Sequence, residues 1–321
     1  MNETGGFNTQ LSPDGVHTAI DAALYEETTR EMQPGYIRAS DAFFFKQGNT
    51  VGDSFIYDED AGIPNFQRTG DQETILSVDS FLANKVTRTS IKYTSQVPVS
   101  DEAFRADMHE KRAAIGREQG LAASRTQDSE GLLNTYGDVA AGSIFTTPDG
   151  QPTASNSHTT VRGQTVDNLE TGALNPDNLW TLTVSLAGQR GQHGDLASHL
   201  FEGIVVPFIN FKTAKEVLDS SLVANSAENN VNVFDTSYGE VRIGASAFLG
   251  SAYNSASNAN TTYTIVSRNH RMMRKVFYGV DTKLIPPEST SNDTWLYRVK
   301  FNEVSFPGTW QGLAASIGTT A

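Results

Sequence analysis

Polar and apolar residues alternate in short extended runs between Lys46 and Pro98, with turn clusters between the runs. Val, Thr, Ile and Tyr dominate the last run, NKVTRTSIKYTSQVPV, as is typical of a strand. The pattern predicts a long two-stranded hairpin with an acidic, glycine-containing tip that includes Tyr57–Gly62. Because two strands bury little apolar surface, we expect this hairpin to need support from another element or from another subunit.

A helical period begins directly after the hairpin, at Ser100. Ser100 is a favourable N-cap, and Asp101 and Glu102 place negative charge in the first turn, where the helix dipole favours it. Apolar residues then recur at helical spacing, so the pattern predicts one long helix through Gly120. The members of this apolar stripe are Phe104, Met108, Ile115 and Ala122.

A strip of small residues that includes Gly116 and Gly120 lies beside the apolar stripe. Glycine costs about 1 kcal/mol relative to alanine inside a helix, so we expect another element to approach the helix backbone closely there. If the helix continues past a break near Thr126 to Tyr136, its length is about 50 Å at a rise of about 1.5 Å per residue. We interpret it as a spine with different elements packed on adjacent sides.

The remaining segments complete an α+β pattern. Residues 1–45 have weak periodicity and frequent Gly and Pro, which indicates an arm with one short helix, His17–Thr29. Asn175 and Pro176 are the cap and first residue of a second helix, which we expect to end near Gly191. A short apolar strand, a third helix and a β-rich remainder follow, with no fixed-period repeat.

Composition narrows the function further. The chain has 321 residues, a formal net charge of −13 at pH 7 and no cysteine, which excludes disulfides and thiolate chemistry. Net acidity argues against binding nucleic acid through phosphate neutralisation, and we interpret the basic run Ser267–Lys275 as a solvated or subunit-facing strand edge. Neither a signal-peptide pattern nor a run of about 18 apolar residues is present, so we expect a soluble protein without a membrane partner.

Residues with catalytic or metal-binding chemistry do not form a recognisable motif. His158 lies in a polar loop without a nucleophile or further ligands at known spacing, so we interpret it as a hydrogen-bonded structural histidine. His193 and His199 are six residues apart, which does not place them on one side of a helix. The glycines of AGQRGQHGD follow a helix and lack the lysine of a phosphate loop. We expect no metal, no cofactor and no enzymatic activity.

Three motifs in order resemble a known family. VTRTSIKYTSQVPVSDEAFRADMHEKRAAIGREQGLAASRTQDSEGLL is followed by SIFTTPDGQPTASNSH and then by NPDNLWTLTVSLAGQRGQHGDL…FEGIVVPFINFKTAKEVLDS. Together they are similar to the major head subunit of Mu-like phages and, more broadly, to the Hong-Kong-97-type major capsid proteins of tailed phages. The resemblance covers residues 86–220 in motif and the remainder in element order.

The resemblance implies a capsid fold with four parts. These are an N-terminal arm (1–45), an extended loop (46–98), a peripheral domain built on the spine helix (99–165 and 281–321) and an axial domain (166–280). It implies self-assembly as hexamers and pentamers into an icosahedral head shell around double-stranded DNA, with each hairpin lying across the adjacent subunit. The DNA would be held only non-specifically, since an acidic wall repels it. The chain would be located in the virion after assembly in the host cytoplasm.

The resemblance also implies partners and contact residues. A scaffolding protein, a portal and a decoration protein would join the shell. Some relatives cross-link a loop lysine to an asparagine, but Asp58–Asp71 contains no lysine, so we expect no such bond. Because Met1 lies about 45 residues before the loop, we expect a separate scaffolding protein rather than a scaffolding segment within the chain. The residues assigned to assembly are Asp58, Asp60, Arg68, Asp71, Arg88, Gly116 and Gly120.

Two alternatives stay open at this point. A shell of the same fold could enclose cargo protein instead of DNA, as an encapsulin-like compartment does. A hydrolase or sugar-acting enzyme could instead use His158 and nearby acids. The contents of the particles would separate the first alternative from a phage head. An activity that is lost in His158→Ala while assembly stays intact would favour the second.

Overall fold

The computed structural model describes residues 36–62, 82–106, 111–140, 145–220, 232–237, 241–287 and 293–318. These residues form a four-stranded sheet, a five-stranded sheet and two two-stranded ladders together with helices. The strands are β1 Lys46–Asn49, β2 Ser54–Asp60, β3 Leu82–Thr89, β4 Ile91–Ser100, β5 His158–Thr159, β6 Thr165–Val166, β7 Leu169–Glu170, β8 Gly203–Pro207, β9 Arg242–Ser246, β10 Tyr263–Val266, β11 Met272–Ile285, β12 Thr294–Pro307 and β13 Leu313–Ser316. The helices are α1 Asp101–Arg105, α2 Lys111–Leu132, α3 Pro176–Ala187, α4 Phe211–Asp219 and α5 Val233–Ser237, with a π-helical turn at Leu133–Gly137 and 3-10 turns at Phe208–Asn210 and Ala247–Leu249.

The first sheet has the strand order β1-β11-β12-β4. Its long strands β11 and β12 are antiparallel, and β4 pairs antiparallel with β12 along Ile91–Ser100. The region predicted as one hairpin is therefore divided into two parts. β2 and β3 pair with each other as predicted, whereas β4 belongs to the four-stranded sheet.

The second sheet, ordered β7-β13-β10-β8-β9, carries a core with α3 and α4. β8, β10 and β13 are buried along their whole length, which explains why their sequences do not alternate between polar and apolar residues. Asn175 caps α3 as predicted, because its side chain accepts a hydrogen bond from the amide of Asn178 at 2.8 Å. The helix ends at Ala187 rather than near Gly191.

The long helix predicted from Ser100 is interrupted. Ser100 caps α1 as predicted, with its hydroxyl accepting from the amide of Ala103 at 3.2 Å. α1 ends at Arg105, so the prediction of one continuous helix is wrong, and Met108 lies outside the described residues. A tertiary contact accounts for the separate first turn, since Phe104 stacks on Trp295 of β12 with ring centroids 4.2 Å apart.

The second helix, α2, is continuous where a break was predicted. Thr126 lies inside it, and its hydroxyl donates to the carbonyl of Ala122 at 2.9 Å, so the polar side chain is satisfied without ending the helix. With 22 residues, α2 extends about 33 Å at a rise of about 1.5 Å per residue. It packs on one side of the first sheet through Ala123, and Gln119 donates to the carbonyl of Tyr297 at 3.0 Å.

The segment 36–45 joins the two sheets. Phe44 and Phe45 are buried beside the end of α2, and the hydroxyl of Tyr136 donates to the carbonyl of Phe44 at 2.9 Å. Gly131 permits this approach, because a Cβ there would lie only 2.7 Å from the Cβ of Ala39. Within the range predicted as an arm, these residues therefore form core, and the predicted helix His17–Thr29 lies outside the described residues.

The division into peripheral and axial domains stays a proposal, and the sheets indicate where its boundaries would move. β11 continues without interruption through the proposed boundary at 280/281. β13, assigned to the peripheral domain, pairs with β10 in the second sheet instead of joining the first. Side-chain periodicity reports burial but not the pairing partner of a strand, so the sequence alone does not say which sheet a strand joins.

His270 fastens the 36–45 segment to the start of β11. Its Nε2 donates to the carbonyl of Phe43 at 2.6 Å, and its Nδ1 accepts from the amide of Met272 at 3.2 Å. Both contacts suit the neutral ring, since a proton on Nδ1 would face the Met272 N–H. Burial lowers the pKa of His270 to about 4.

We expect this histidine to make the protein sensitive to acid. The unfolded chain takes up a proton near the ordinary histidine pKa of about 6.5, whereas the folded chain does so near pH 4. The free energy of unfolding should therefore fall as pH drops from about 6.5 to 4, by up to about 3 kcal/mol in all. Urea unfolding of His270→Gln across this range should give a flatter slope and lower stability at pH 7. Equal slopes in the two proteins would contradict the assignment.

Candidate functional site

The β2–β3 ladder lies on the side of the first sheet opposite α2, near the end of β12. The Tyr57 ring meets the Phe306 ring edge-on, with centroids 5.3 Å apart. Gly308 makes room for this contact, because a Cβ there would lie 2.5 Å from the Tyr57 hydroxyl. Side chains of β2 alternate between the two sides: Phe55, Tyr57 and Glu59 face the body of the protein, and Ile56, Asp58 and Asp60 are exposed.

Glu59 is the main polar anchor of the ladder. It is 1% exposed, and its Oε1 accepts from Gln192 Nε2 at 3.0 Å and from the Thr309 hydroxyl at 2.6 Å. Its Oε2 accepts from Asn84 Nδ2 of β3 at 2.9 Å. Three donors to one carboxylate offset the cost of removing it from water. Since Gln192 follows α3 and Thr309 follows β12, this one side chain fastens the ladder to both halves of the protein.

The sequence pattern predicted that Tyr57–Gly62 is an acidic tip. It did not predict that Glu59 is a buried anchor of the ladder. The structure corrects that prediction, because these residues include the end of β2, which is packed on the body. Asp58 is exposed and lies 3.9 Å from Lys85, and Asp60 is also exposed. The period-two alternation of Phe55, Tyr57 and Glu59 was the available signal, since it places a carboxylate on the aromatic side of the strand.

Arg88 contacts its own chain from β3. It is 6% exposed, its Nη2 donates to the carbonyl of Thr146, and its guanidinium lies 5.2 Å from the ring centroids of Phe145 and Phe306. Burial lowers the pKa of Arg88 to about 10, so the group remains charged at neutral pH. Its assigned role in assembly stays a prediction. Arg68 and Asp71, which were assigned with it, lie outside the described residues.

Gly116 and Gly120 are both buried on α2. Their role in assembly stays a prediction. Next to them, a groove of about 560 Å³ separates α2 from the edge strand β4. Mainly apolar side chains line it, so this part of β4 is left incompletely covered. The lining residues are Ser95, Val97, Ala114, Ile115, Glu118, Gln119 and Ala122.

His158 is enclosed, in agreement with the interpretation as a structural histidine. It is 0% exposed, its Nδ1 lies 2.7 Å from Asp149 Oδ2, and its ring stacks on Trp310 with centroids 5.1 Å apart. Burial by itself would raise the pKa of Asp149, but hydrogen bonds from His158 and Thr147 outweigh burial and hold that pKa below its ordinary value. A substrate in solvent could not reach this pair without the core opening.

The other predicted histidines also lie apart from any ligand cluster. Nε2 of His193 lies 3.0 Å from the carbonyl of Gly62, so it contributes to holding the chain after β2. His199 is mostly buried, and burial lowers its pKa. Across the part of the chain that the structure describes, no three His, Asp or Glu side chains are grouped closely enough to hold a metal ion. No helix among those residues is long and apolar enough to cross a membrane.

Comparisons with known proteins agree with the fold. No protein-family model matches the sequence, and no curated protein matches it either. Solved structures do match. The capsid of a native GTA particle aligns with a TM-score of 0.55 and 10% identity, covering 89% of this chain and 93% of that one.

Two further structures align over nearly the whole chain. A virus-like particle from Pyrococcus furiosus gives a TM-score of 0.51 and 10% identity, covering 95% of this chain and 98% of its own. A structure from Mycobacterium phage Adephagia gives a TM-score of 0.51 and 12% identity, covering 92% and 97%. The chain therefore has the Hong-Kong-97-type capsid fold, as predicted, and its assignment to the Mu-like subfamily stays a prediction.

Proposed function

We propose that this protein is the major capsid subunit of a tailed phage and that it assembles as hexamers and pentamers into the icosahedral shell around double-stranded DNA. The observation that carries the proposal is the alignment of 89% and 95% of the chain with a capsid and a virus-like particle, respectively. Because the alignment covers 95% of this chain, it concerns the overall architecture and not one shared motif.

Features of the described surface support self-association. Large apolar side chains such as Ile209, Leu200 and Tyr253 are more than half exposed, so burying them against another subunit would be favourable. The groove between α2 and β4 adds a further apolar surface. Contacts between subunits would remove these surfaces from water and stabilise the assembly.

Other partners belong to the same proposal. A separate scaffolding protein would set the curvature of the shell, and a portal would occupy one vertex. A decoration protein would bind outside, and packaged DNA would meet the wall without specific contacts, since the chain has a net charge of −13. The protein would be located in the virion after assembly in the host cytoplasm.

We expect the purified protein to form rings or closed shells, alone or with its scaffold. Analytical ultracentrifugation would measure the size of the assemblies, and negative-stain microscopy would show their shape. Shells that contain nuclease-protected double-stranded DNA after phage production would support the phage-head function. Shells filled with cargo protein would instead favour an encapsulin-like compartment, which the likeness to the Pyrococcus furiosus particle keeps as the second candidate. A monomer at high concentration, even with scaffold, would contradict both.

A further inference from the structure

Three cations lie together where the second sheet meets β1. Lys46 is the first residue of β1, Arg242 is the first residue of β9, and Arg268 follows β10 by two residues. Glu202 joins two of them, because its carbonyl accepts from the amide of Arg242 at 3.0 Å and its carboxylate accepts from the amide of Arg268 at 2.7 Å. The guanidinium of Arg242 lies 4.9 Å from the ring centroid of Phe43. We call Lys46, Arg242 and Arg268 the basic corner.

The positive charge of the basic corner is only partly neutralised. None of its three side chains forms a salt bridge with a carboxylate among the described residues. Burial lowers the pKa of Lys46, and the charge of Arg268 lowers it further, against the opposite effect of Glu202. Repulsion between Lys46 and Arg268 therefore outweighs the attraction of the nearby carboxylate. Arg242 and Arg268 are exposed, so a negatively charged partner can reach them.

The polypeptide enters the described part of the structure beside this corner. Tyr36, the first described residue, forms a parallel bridge with Ala245 of β9, and the amide of Ile37 donates to the carbonyl of Ala245 at 3.1 Å. Because the pairing is parallel, the residues before Tyr36 are directed toward the start of β9, where Arg242 lies. Arg242 precedes Ala245 by three residues, which is about 10 Å along the strand at about 3.3 Å per residue.

The segment before Tyr36 carries the complementary charge. Residues 1–35 contain six carboxylates and one arginine. Three of the carboxylates, Glu26, Glu27 and Glu31, lie within YEETTRE, residues 25–31, which we call the acidic run. Glu31 precedes Tyr36 by five residues, so an extended chain would let it reach about 17 Å, farther than the distance to Arg242. The acidic run itself lies outside the described residues.

We propose that the acidic run binds the basic corner of its own subunit and so holds the N-terminal segment at the end of the second sheet. The inference goes beyond the shell function and does not depend on it, because both surfaces belong to one chain. Exposed ion pairs are weak one by one, but several charges in one network contribute together and are screened by salt. Double-stranded DNA suits the corner less well, since three cations beside Glu202 offer few phosphate contacts.

The lack of cysteine permits a direct test by cross-linking. Thr29→Cys/Asn269→Cys places one thiol in the acidic run and one at an exposed position next to Arg268. In dilute, dissociated subunits we expect a short bis-maleimide to join the two thiols within one chain. The reaction should be at least about fivefold slower at 500 mM than at 50 mM NaCl. Peptide mass spectrometry would identify the linked residues, and a denaturing gel would separate links within a chain from links between chains.

Charge reversal in this double-cysteine protein tests the ionic basis. Arg242→Glu/Arg268→Glu reverses the basic corner, and Arg162→Glu/Lys212→Glu makes the same change in net charge at exposed positions elsewhere. We expect the corner variant to cross-link at least about fivefold more slowly than this control, with unchanged circular dichroism. Arg242→Gln/Arg268→Gln removes the two charges without reversing them. It should slow the reaction about threefold and keeps the test valid if the reversed chain does not fold.

A charge swap and the type of product decide the outcome. Adding Glu26→Lys/Glu27→Lys/Glu31→Lys to the reversed corner should restore the rate to within about twofold of the parent. Equal rates in the corner and control variants would refute the contact, whether or not shells form. Links found only between chains would overturn the proposal, because the corner would then receive the acidic run of a second copy. Unchanged cross-linking with lost affinity for a double-stranded DNA fragment would assign the corner to DNA instead. A parent protein that cross-links within the chain but never assembles would support this contact and contradict the shell function.

Discussion

Glu59→Ala should detach the β2–β3 ladder from the body of the protein. The substitution removes one acceptor group and leaves Gln192, Thr309 and Asn84 with buried donors that lack partners. A buried donor without a partner costs about 1 to 3 kcal/mol, and partial rearrangement should limit the total loss of stability to about 2 to 4 kcal/mol. We expect the subunit to remain folded at low temperature but to assemble poorly. Urea unfolding and sedimentation would measure the two effects.

Asp60→Ala is the matched control, since it removes the neighbouring carboxylate from the exposed side of the same strand. Its effect on unfolding should stay within about 0.5 kcal/mol. Glu59→Gln keeps the size of the side chain and one acceptor oxygen, so its effect should lie between the two. Equal stability of Glu59→Ala and Asp60→Ala would show that the ladder is held by its aromatic contacts alone.

Trp310→Ala should be the most destabilising single substitution that we consider. Trp310 is 0% exposed and stacks on His158, so truncation leaves a large cavity and removes a ring contact. Comparable truncations cost about 3 to 5 kcal/mol. We expect the midpoint of thermal unfolding to fall by more than 5 °C and little soluble assembly to form. Differential scanning calorimetry and sedimentation would measure these effects.

Trp180→Ala provides the comparison, because this tryptophan of α3 is 45% exposed and leaves a smaller void. It should cost less than half as much stability as Trp310→Ala. A Trp310→Ala protein as stable as Trp180→Ala would contradict the packing described around His158. It would also reopen the interpretation of His158 as part of an accessible site.

Local chemistry made several elements predictable. Ser100 and Asn175 cap their helices as expected, because a capping side chain and the amides it accepts from lie within three residues of each other. The β2–β3 ladder was also predicted, since turn residues and β-branched runs are local signals. His158 was interpreted as structural, and its burial agrees.

Other features depended on contacts between distant parts of the chain. Glu59 was missed because its three donors come from β3, from the loop after α3 and from the turn after β12. A helix break was predicted near Thr126, but the first helix ends at Arg105 instead. The stacking of Phe104 on Trp295 joins residues far apart in sequence, so a local pattern does not reveal it.

The sequence by itself determined the α+β class, the helix starts and the alternation of β2, because each depends on propensities and periods within about ten residues. Only the tertiary structure decided that β4 leaves the hairpin for the first sheet and that β13 joins the second. It also decided that Asp58 and Asp60 face solvent while Glu59 is buried between both halves of the protein. These outcomes follow from strand pairing and burial across long sequence separations, which a local pattern does not encode.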